Sequence, residues 1–185
     1  MIKRKSAQPS NKKNEPLVSL TLKKSSIHNV GLYANEDIAK GTKIIEYVGE
    51  KITAKEAGRR VDASLENHRS NHTHGAVYIF ELNNRYSIDG DVPYNTARHI
   101  NHSCDPNAET DIIRGKVWII AIRDIKAGEE ILYNYGYEFK EDYKDHPCLC
   151  GSSRCVGFII HEDSWPQLRR ALKKESRTSL TPRSK

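Results

Sequence analysis

The stretch "CLCGSSRC", residues 148–155, carries three of the chain's four cysteines within eight positions. Three thiolates cannot close a tetrahedral metal site, so a metal bound here has to draw a ligand from elsewhere in the chain. The segment has little apolar content of its own, and the binding energy of a metal would order it. The one other cysteine is Cys104, far upstream and directly after Asn101-His102-Ser103. Cys148, Cys150 and Cys155 on one short loop, joined by Cys104, make an all-sulfur site of the structural zinc type and use every thiol in the chain. A Cys148 to Cys155 disulfide and unpaired thiols are the competing readings.

Length and composition support a metal over a disulfide. At 185 residues the chain has the size of one domain, with a core large enough to need no covalent staple. No apolar run approaches the length of a membrane helix, and the start of the chain is basic and polar, without the apolar segment of a secretory signal. The expectation is a soluble, intracellular protein in a reducing compartment. Its net charge of +6 is unevenly spread. Residues 1–24 hold seven Lys/Arg against Glu15, residues 166–185 hold seven against Glu175, and the stretch between them has 16 basic and 22 acidic side chains. An acidic body suits a cationic peptide, and basic ends suit a phosphate-rich polymer; the plainer alternative is that the ends are solvated tails.

Most of the patterned sequence reads as short strands. "LVSLTLK" alternates, "TKIIEYVGE" is β-branched between Gly41 and Gly49, and "VYIFEL", "KVWIIAI" and "EEILYNY" are further runs of strand length. The clearest helix is "TAKEAGRRVDASLENHR", with Thr53 and Glu56 as a capping box and Ala57, Val61 and Leu65 at four-residue spacing. A second helix is expected over "EDSWPQLRRALKK", capped by Asp163 or Ser164 with Pro166 in its first turn. Residues 1–15 are too polar to order themselves and read as a basic arm. The fold class is mainly β, a β-rich α+β domain.

Five stretches in order, "HNVGLYANEDIAKGTKIIEYVGE", "YIFELNNRYSIDG", "TARHINHSCDPNAE", "GEEILYNYGYEF" and "CLCGSSRC", resemble a SET-domain protein-lysine N-methyltransferase with a post-SET zinc segment. The resemblance implies small curved β-sheets around a C-terminal pseudoknot, in which the chain end threads beneath the "NHSC" loop. It divides the chain into an arm at 1–15, a SET domain at 16–139, a post-SET zinc-binding segment at 140–160 and a C-terminal helix and basic tail at 161–185. It also implies S-adenosyl-L-methionine as methyl donor, one zinc ion and a basic protein substrate such as a histone tail.

By the same resemblance Asn29, Val30 and Gly31 meet the cofactor through backbone. A glycine there allows close approach, and Asn29, standing where the family has glycine, tolerates a left-handed conformation. Asn101 and His102 hold the methionine and adenine portions, Arg98 braces their loop, Tyr78 is the aromatic neighbour and Leu149 covers the adenine. Tyr135 matches the catalytic tyrosine. Tyr133 matches a position held by Phe or Tyr, where the extra hydroxyl restricts space and biases the product to monomethyl-lysine. A monomer without membrane contact is expected, in the cytoplasm or on the chromosome; stand-alone members of this size resemble bacterial ones, whose target can be a host nucleus. Two alternatives stay open: a silent SET module that binds basic tails, and a structural zinc module that binds nucleic acid through its ends.

Overall fold

The structure is a computed structural model, and it describes residues 15–71 and 77–179. The first fourteen residues of the expected basic arm and the final six of the tail lie outside the described residues. In chain order the elements are β1 (Leu20–Lys24), β2 (Val30–Ala34), β3 (Lys43–Tyr47), β4 (Glu50–Thr53), α1 (Ala54–Asn71), β5 (Ile79–Asn83) and β6 (Tyr86–Asp89). There follow β7 (Asn101–His102), β8 (Ala108–Ile113), β9 (Lys116–Ala121), β10 (Leu132–Tyr133) and α2 (Trp165–Ser179), with short 3-10 turns at Thr96–His99, Tyr143–Asp145 and Glu162–Ser164. The sheets are small, of two or three strands each. The chain forms two units, each assembled from separated stretches.

One unit takes residues 43–98 and 110–120 together with the residues before 19. Its sheets are ordered β3-β9-β8 and β4-β6-β5, and Ile44, Ile45, Ile52, Val117 and Ile119 are buried in it. "TKIIEYVGE" reads as one strand yet is broken into β3 and β4, and Gly49 supplies the reason. A Cβ on Gly49 would stand 2.0 Å from the Asp89 carbonyl oxygen, so only glycine lets the chain turn against the end of β6. Helix α1 starts where the sequence places it: Thr53 Oγ1 accepts from the Glu56 N–H at 3.2 Å. The Glu56 carboxylate turns to Arg59 and Arg60 rather than completing the box, and both guanidiniums hold its carboxyl down at about 2.

The second unit takes residues 19–42, 99–109 and everything after 120. Here β1 and β2 form an antiparallel hairpin, so "VGLYA" is a strand and only the residues before it turn. Its special feature is the parallel pair of β7 with β10, in which Leu132 faces Asn101 and Tyr133 faces His102. Ser103 N–H donates to the Tyr133 carbonyl at 3.1 Å and Asn107 N–H to the Leu132 carbonyl at 3.2 Å. The Asn107 side chain bonds Leu132 N–H at 2.8 Å and the Glu130 carbonyl at 2.7 Å. The late strand thus lies against the "NHSC" loop through side-chain as well as main-chain bonds. This is why only two of the seven residues of "EEILYNY" count as strand: an asparagine replaces part of the ladder.

A separate apolar cluster of Tyr143, Ile160 and Leu168, with Phe139, Val156, Phe158 and Trp165 packed on it, fixes α2 against the cysteine-rich loop. The helix begins at Trp165 with Pro166 in its first turn. The 3-10 turn Glu162–Ser164 just before it is capped by His161, whose side chain accepts from the Asp163 N–H. No described helix is long and apolar enough to cross a membrane.

Candidate functional site

Four cysteine sulfurs meet in the second unit. The Sγ atoms of Cys104, Cys148, Cys150 and Cys155 all lie within 4.8 Å of one another, and none is in a disulfide. Cys104 is buried, 3.7 Å from Cys148 and 3.9 Å from Cys155. A tetrahedron with Zn–S bonds of about 2.3 Å has edges of about 3.8 Å, so the spacing and the all-thiolate donor set fit one zinc ion. The neighbouring Cys148 thiol draws Cys104 well below a thiol's ordinary value, opposed by burial and helped by His102, while Cys104 pushes Cys148 up. A divalent cation removes that conflict by letting all four ionise.

The residues just before Cys104 reach in two other directions. The His102 Nδ1 accepts from the Tyr135 N–H at 3.2 Å, and its Nε2 lies 3.6 Å from Cys104 Sγ. A proton on Nε2 and a lone pair on Nδ1 satisfy both contacts, so the imidazole links Tyr135 to the cysteine cluster. It is a positioning group, and both ring nitrogens already have protein partners. The Asn101 amide Nδ2 lies 3.3 Å from the carbonyls of His28 and Val30 and 2.7 Å from Glu130 Oε1. It ties the 28–31 turn to the "NHSC" loop. Asn29 takes φ 40°, the left-handed region that asparagine tolerates.

Glu130 is the centre of this corner, and sequence reasoning passed over it. Its carboxylate accepts from Ser25 Oγ at 2.9 Å, Tyr33 OH at 2.9 Å and Asn101 Nδ2 at 2.7 Å. Burial first, and then this carboxylate, raises the Tyr33 phenol above its ordinary range. A Cβ on Gly31 would sit 2.0 Å from Glu130 Oε1, so the close neighbour that explains this glycine is a protein carboxylate. The available signal was an acidic residue immediately before the apolar "ILY" of a buried run, where a charge demands partners.

Three tyrosines line up along the end of the same unit. Tyr133 is buried, with its ring centroid 5.0 Å from that of Tyr135; Tyr135 stands 5.4 Å from His102 and 6.1 Å from Tyr137. The Tyr135 hydroxyl donates to the Ile100 carbonyl at 3.0 Å, which fixes the orientation of the phenol. Leu149, expected over an adenine, is 65% exposed.

Tyr78 and Arg98 belong to the other unit, where Asp91 joins them. Arg98 Nη1 pairs with Asp91 Oδ1 at 3.0 Å, while Arg98 Nε is buried without a partner. The Tyr78 carbonyl accepts from Tyr47 OH and from Gly90 N–H, and burial, then the Asp91 charge, pushes its phenol up.

The SET domain family model matches residues 29–136. The chain belongs to the SET-domain family. It is 40% identical over 154 residues to the "Histone-lysine N-methyltransferase, H3 lysine-4 specific" of Saccharomyces cerevisiae, covering 80% of this chain and 14% of that protein. A protein of the same name from Aspergillus oryzae is 41% identical over 141 residues, covering 74% of this chain and 11% of its own length. The human "Histone-lysine N-methyltransferase 2D" is 36% identical over 155 residues, 82% of this chain and 3% of that protein. The chain therefore spans a small fraction of the length of these relatives.

Proposed function

We propose that this protein transfers a methyl group from S-adenosylmethionine to the side-chain amine of a lysine in a basic, histone-type protein segment. Membership of the SET-domain family and relatives named as histone-lysine methyltransferases support the reading. The observation that carries it is the Tyr135 hydroxyl, anchored on the Ile100 carbonyl at 3.0 Å, beside a buried Tyr133.

Asn101, His102 and the 29–31 backbone would hold the methyl donor in this unit. Bound there, S-adenosylmethionine supplies a methyl group on a sulfonium, a good leaving group. Tyr135 would accept from the lysine amine and orient the amine lone pair toward the methyl group that the bound donor would supply, and the surplus proton of the methylated amine would leave to solvent. The reaction needs a neutral, aligned amine rather than a strong base, so most of the acceleration comes from orientation and from walls that exclude water. The Tyr133 hydroxyl occupies space beside the amine and biases the product to monomethyl-lysine. The four cysteines would hold one zinc ion, which supplies no chemistry to the transfer and orders the C-terminal segment.

The acidic middle of the chain favours a cationic substrate at moderate salt. Nonspecific nucleic-acid contact through the basic ends, a monomeric state and a chromosomal location complete the reading. Incubation with labelled S-adenosylmethionine and a panel of histones, ribosomal proteins and nucleoid proteins, followed by site mapping, tests it. Label on a lysine of a basic protein, lost in Tyr135→Phe, is the expected result; absence of transfer to every member would refute it.

A further inference from the structure

Helix α2 carries a one-signed ridge. Arg169, Arg170 and Lys173 are exposed and, among the described residues, none has an acidic partner. Several exposed cations elsewhere, Arg59, Lys116, Arg123, Lys126 and Lys144 among them, face a carboxylate, while others such as Lys40, Lys55 and Arg85 stand singly among the described residues. On α2 the acidic Glu175 is already taken by Lys144 and Tyr143. At 100° per residue the three cations span an arc of about 100°, on the side of the helix away from Leu168.

The opposite face is largely committed, with Leu172 at its edge 37% exposed. Leu168 is 0% exposed, Trp165 packs on the same cluster and donates its indole N–H to the Ile160 carbonyl at 3.2 Å. This argues against a membrane surface, which would need that apolar face free. A protein partner is disfavoured too, because the aliphatic neighbour of the ridge, Leu172, is a single, partly exposed side chain rather than a central anchor. Closely spaced unpaired cations on a rigid rod, with no apolar centre, match a regular array of phosphates.

We infer that the Arg169-Arg170-Lys173 ridge of α2 docks the phosphate backbone of duplex DNA and thereby brings the enzyme to a substrate protein lying on that DNA. The second half of the statement rests on the proposed histone-type substrate; the first stands on the ridge alone. The cysteine-rich loop and α2 share one apolar cluster, so the ridge is held fixed relative to the candidate metal centre.

The test uses the full chain and a fluorescently labelled 24-base-pair duplex of mixed sequence, read by anisotropy from 50 to 200 mM salt. Arg169→Gln, Arg170→Gln and Lys173→Gln are combined; glutamine keeps the helix propensity, and the exposed sites leave the core intact. Each lost phosphate contact removes about 0.9 from the slope of log affinity against log salt, so the triple variant should lose about 2.7 and bind at least roughly ten-fold more weakly at low salt. The variant with Lys at 169 and 170 should retain binding. Methylation of a free histone-tail peptide should be unchanged, while kcat/KM on a DNA-wrapped histone octamer falls. An unchanged Kd and salt slope in the triple variant would overturn the inference, as would loss of all DNA binding on deleting residues 1–14 with the triple variant still binding as wild type. Failure to methylate any substrate would count against the proposed function alone, because the DNA titration is read without catalysis.

Discussion

Gly31→Ala isolates the corner that joins the candidate cofactor loop to the rest of its unit. Gly31 lies in a strand and has no left-handed φ, so alanine is acceptable to its backbone and even favoured by a few tenths of a kcal/mol. The difficulty is space. The added Cβ would stand 2.0 Å from Glu130 Oε1 and 2.6 Å from its Cδ, and the carboxylate has to withdraw by roughly 1.4 Å to reach ordinary contact. That movement breaks its 2.7 Å bond from Asn101 and strains the two 2.9 Å bonds from Ser25 and Tyr33. Hydrogen bonds to a charged group contribute about 1.5–3 kcal/mol each. Glu130 is half-buried and water replaces part of the loss, so two bonds at the low end give about 3 kcal/mol. Urea unfolding followed by tryptophan fluorescence measures it. The decisive form is a double-mutant cycle. In a Glu130→Ala background the clash is gone, and Gly31→Ala should cost less than about 0.5 kcal/mol, leaving a coupling of about 2–3 kcal/mol. Equal destabilisation with and without Glu130 would refute the reasoning and return the glycine to ligand approach alone.

Tyr135→Phe removes the hydroxyl that aligns the amine and should lower kcat by about 10²-fold or more with the fold intact, as checked by radiolabel transfer and circular dichroism. Tyr133→Phe should move the product from monomethyl toward di- and trimethyl-lysine in mass spectrometry; efficient trimethylation by the wild type, or an unchanged product in the variant, would refute the assigned role. Metal analysis should find one zinc per chain, and chelation or Cys104→Ser should remove both activity and the order of the C-terminal segment; an active metal-free protein would detach the cluster from function. The α2 triple variant should lose DNA affinity and salt dependence while keeping peptide methylation.

How much of this was legible depended on whether a residue's partner could be named from type alone. Four cysteines and one metal geometry leave little choice, so the meeting of Cys104 with Cys148, Cys150 and Cys155 could be read across the intervening chain. Asn29 at φ 40° likewise follows from a residue type that tolerates the left-handed region. Strand breaks were harder, because what ends β3 is the Asp89 carbonyl against Gly49, a neighbour forty residues away. Glu130 was missed for the same reason: its donors sit 105, 97 and 29 residues distant, and a carboxylate carries no mark of which hydroxyls and amides it will find. The strand nature of "VGLYA" was hidden by a glycine whose use lies in packing.

The four residues from Asn101 to Cys104 set the geometry of the whole second unit. Adjacent residues of an extended segment point to opposite sides, so Asn101 can hold the 28–31 turn and Glu130 while His102 reaches Tyr135 and Cys104. Ser103, through its backbone, carries the ladder to Tyr133, and Cys104 enters the sulfur cluster. The segment around Asn29, the tyrosine pair and the cysteine cluster are therefore each bonded to this one short loop, and none can shift without moving the others' anchor. The parallel two-residue pairing of β7 with β10 would be weak by itself. It persists because Asn107 bonds both edges of the late strand and because the sulfurs fix the loop's far end. A zinc ion held by the four sulfurs would then act on the proposed methyl transfer without taking part in it, by setting where the Tyr135 backbone N–H finds its acceptor.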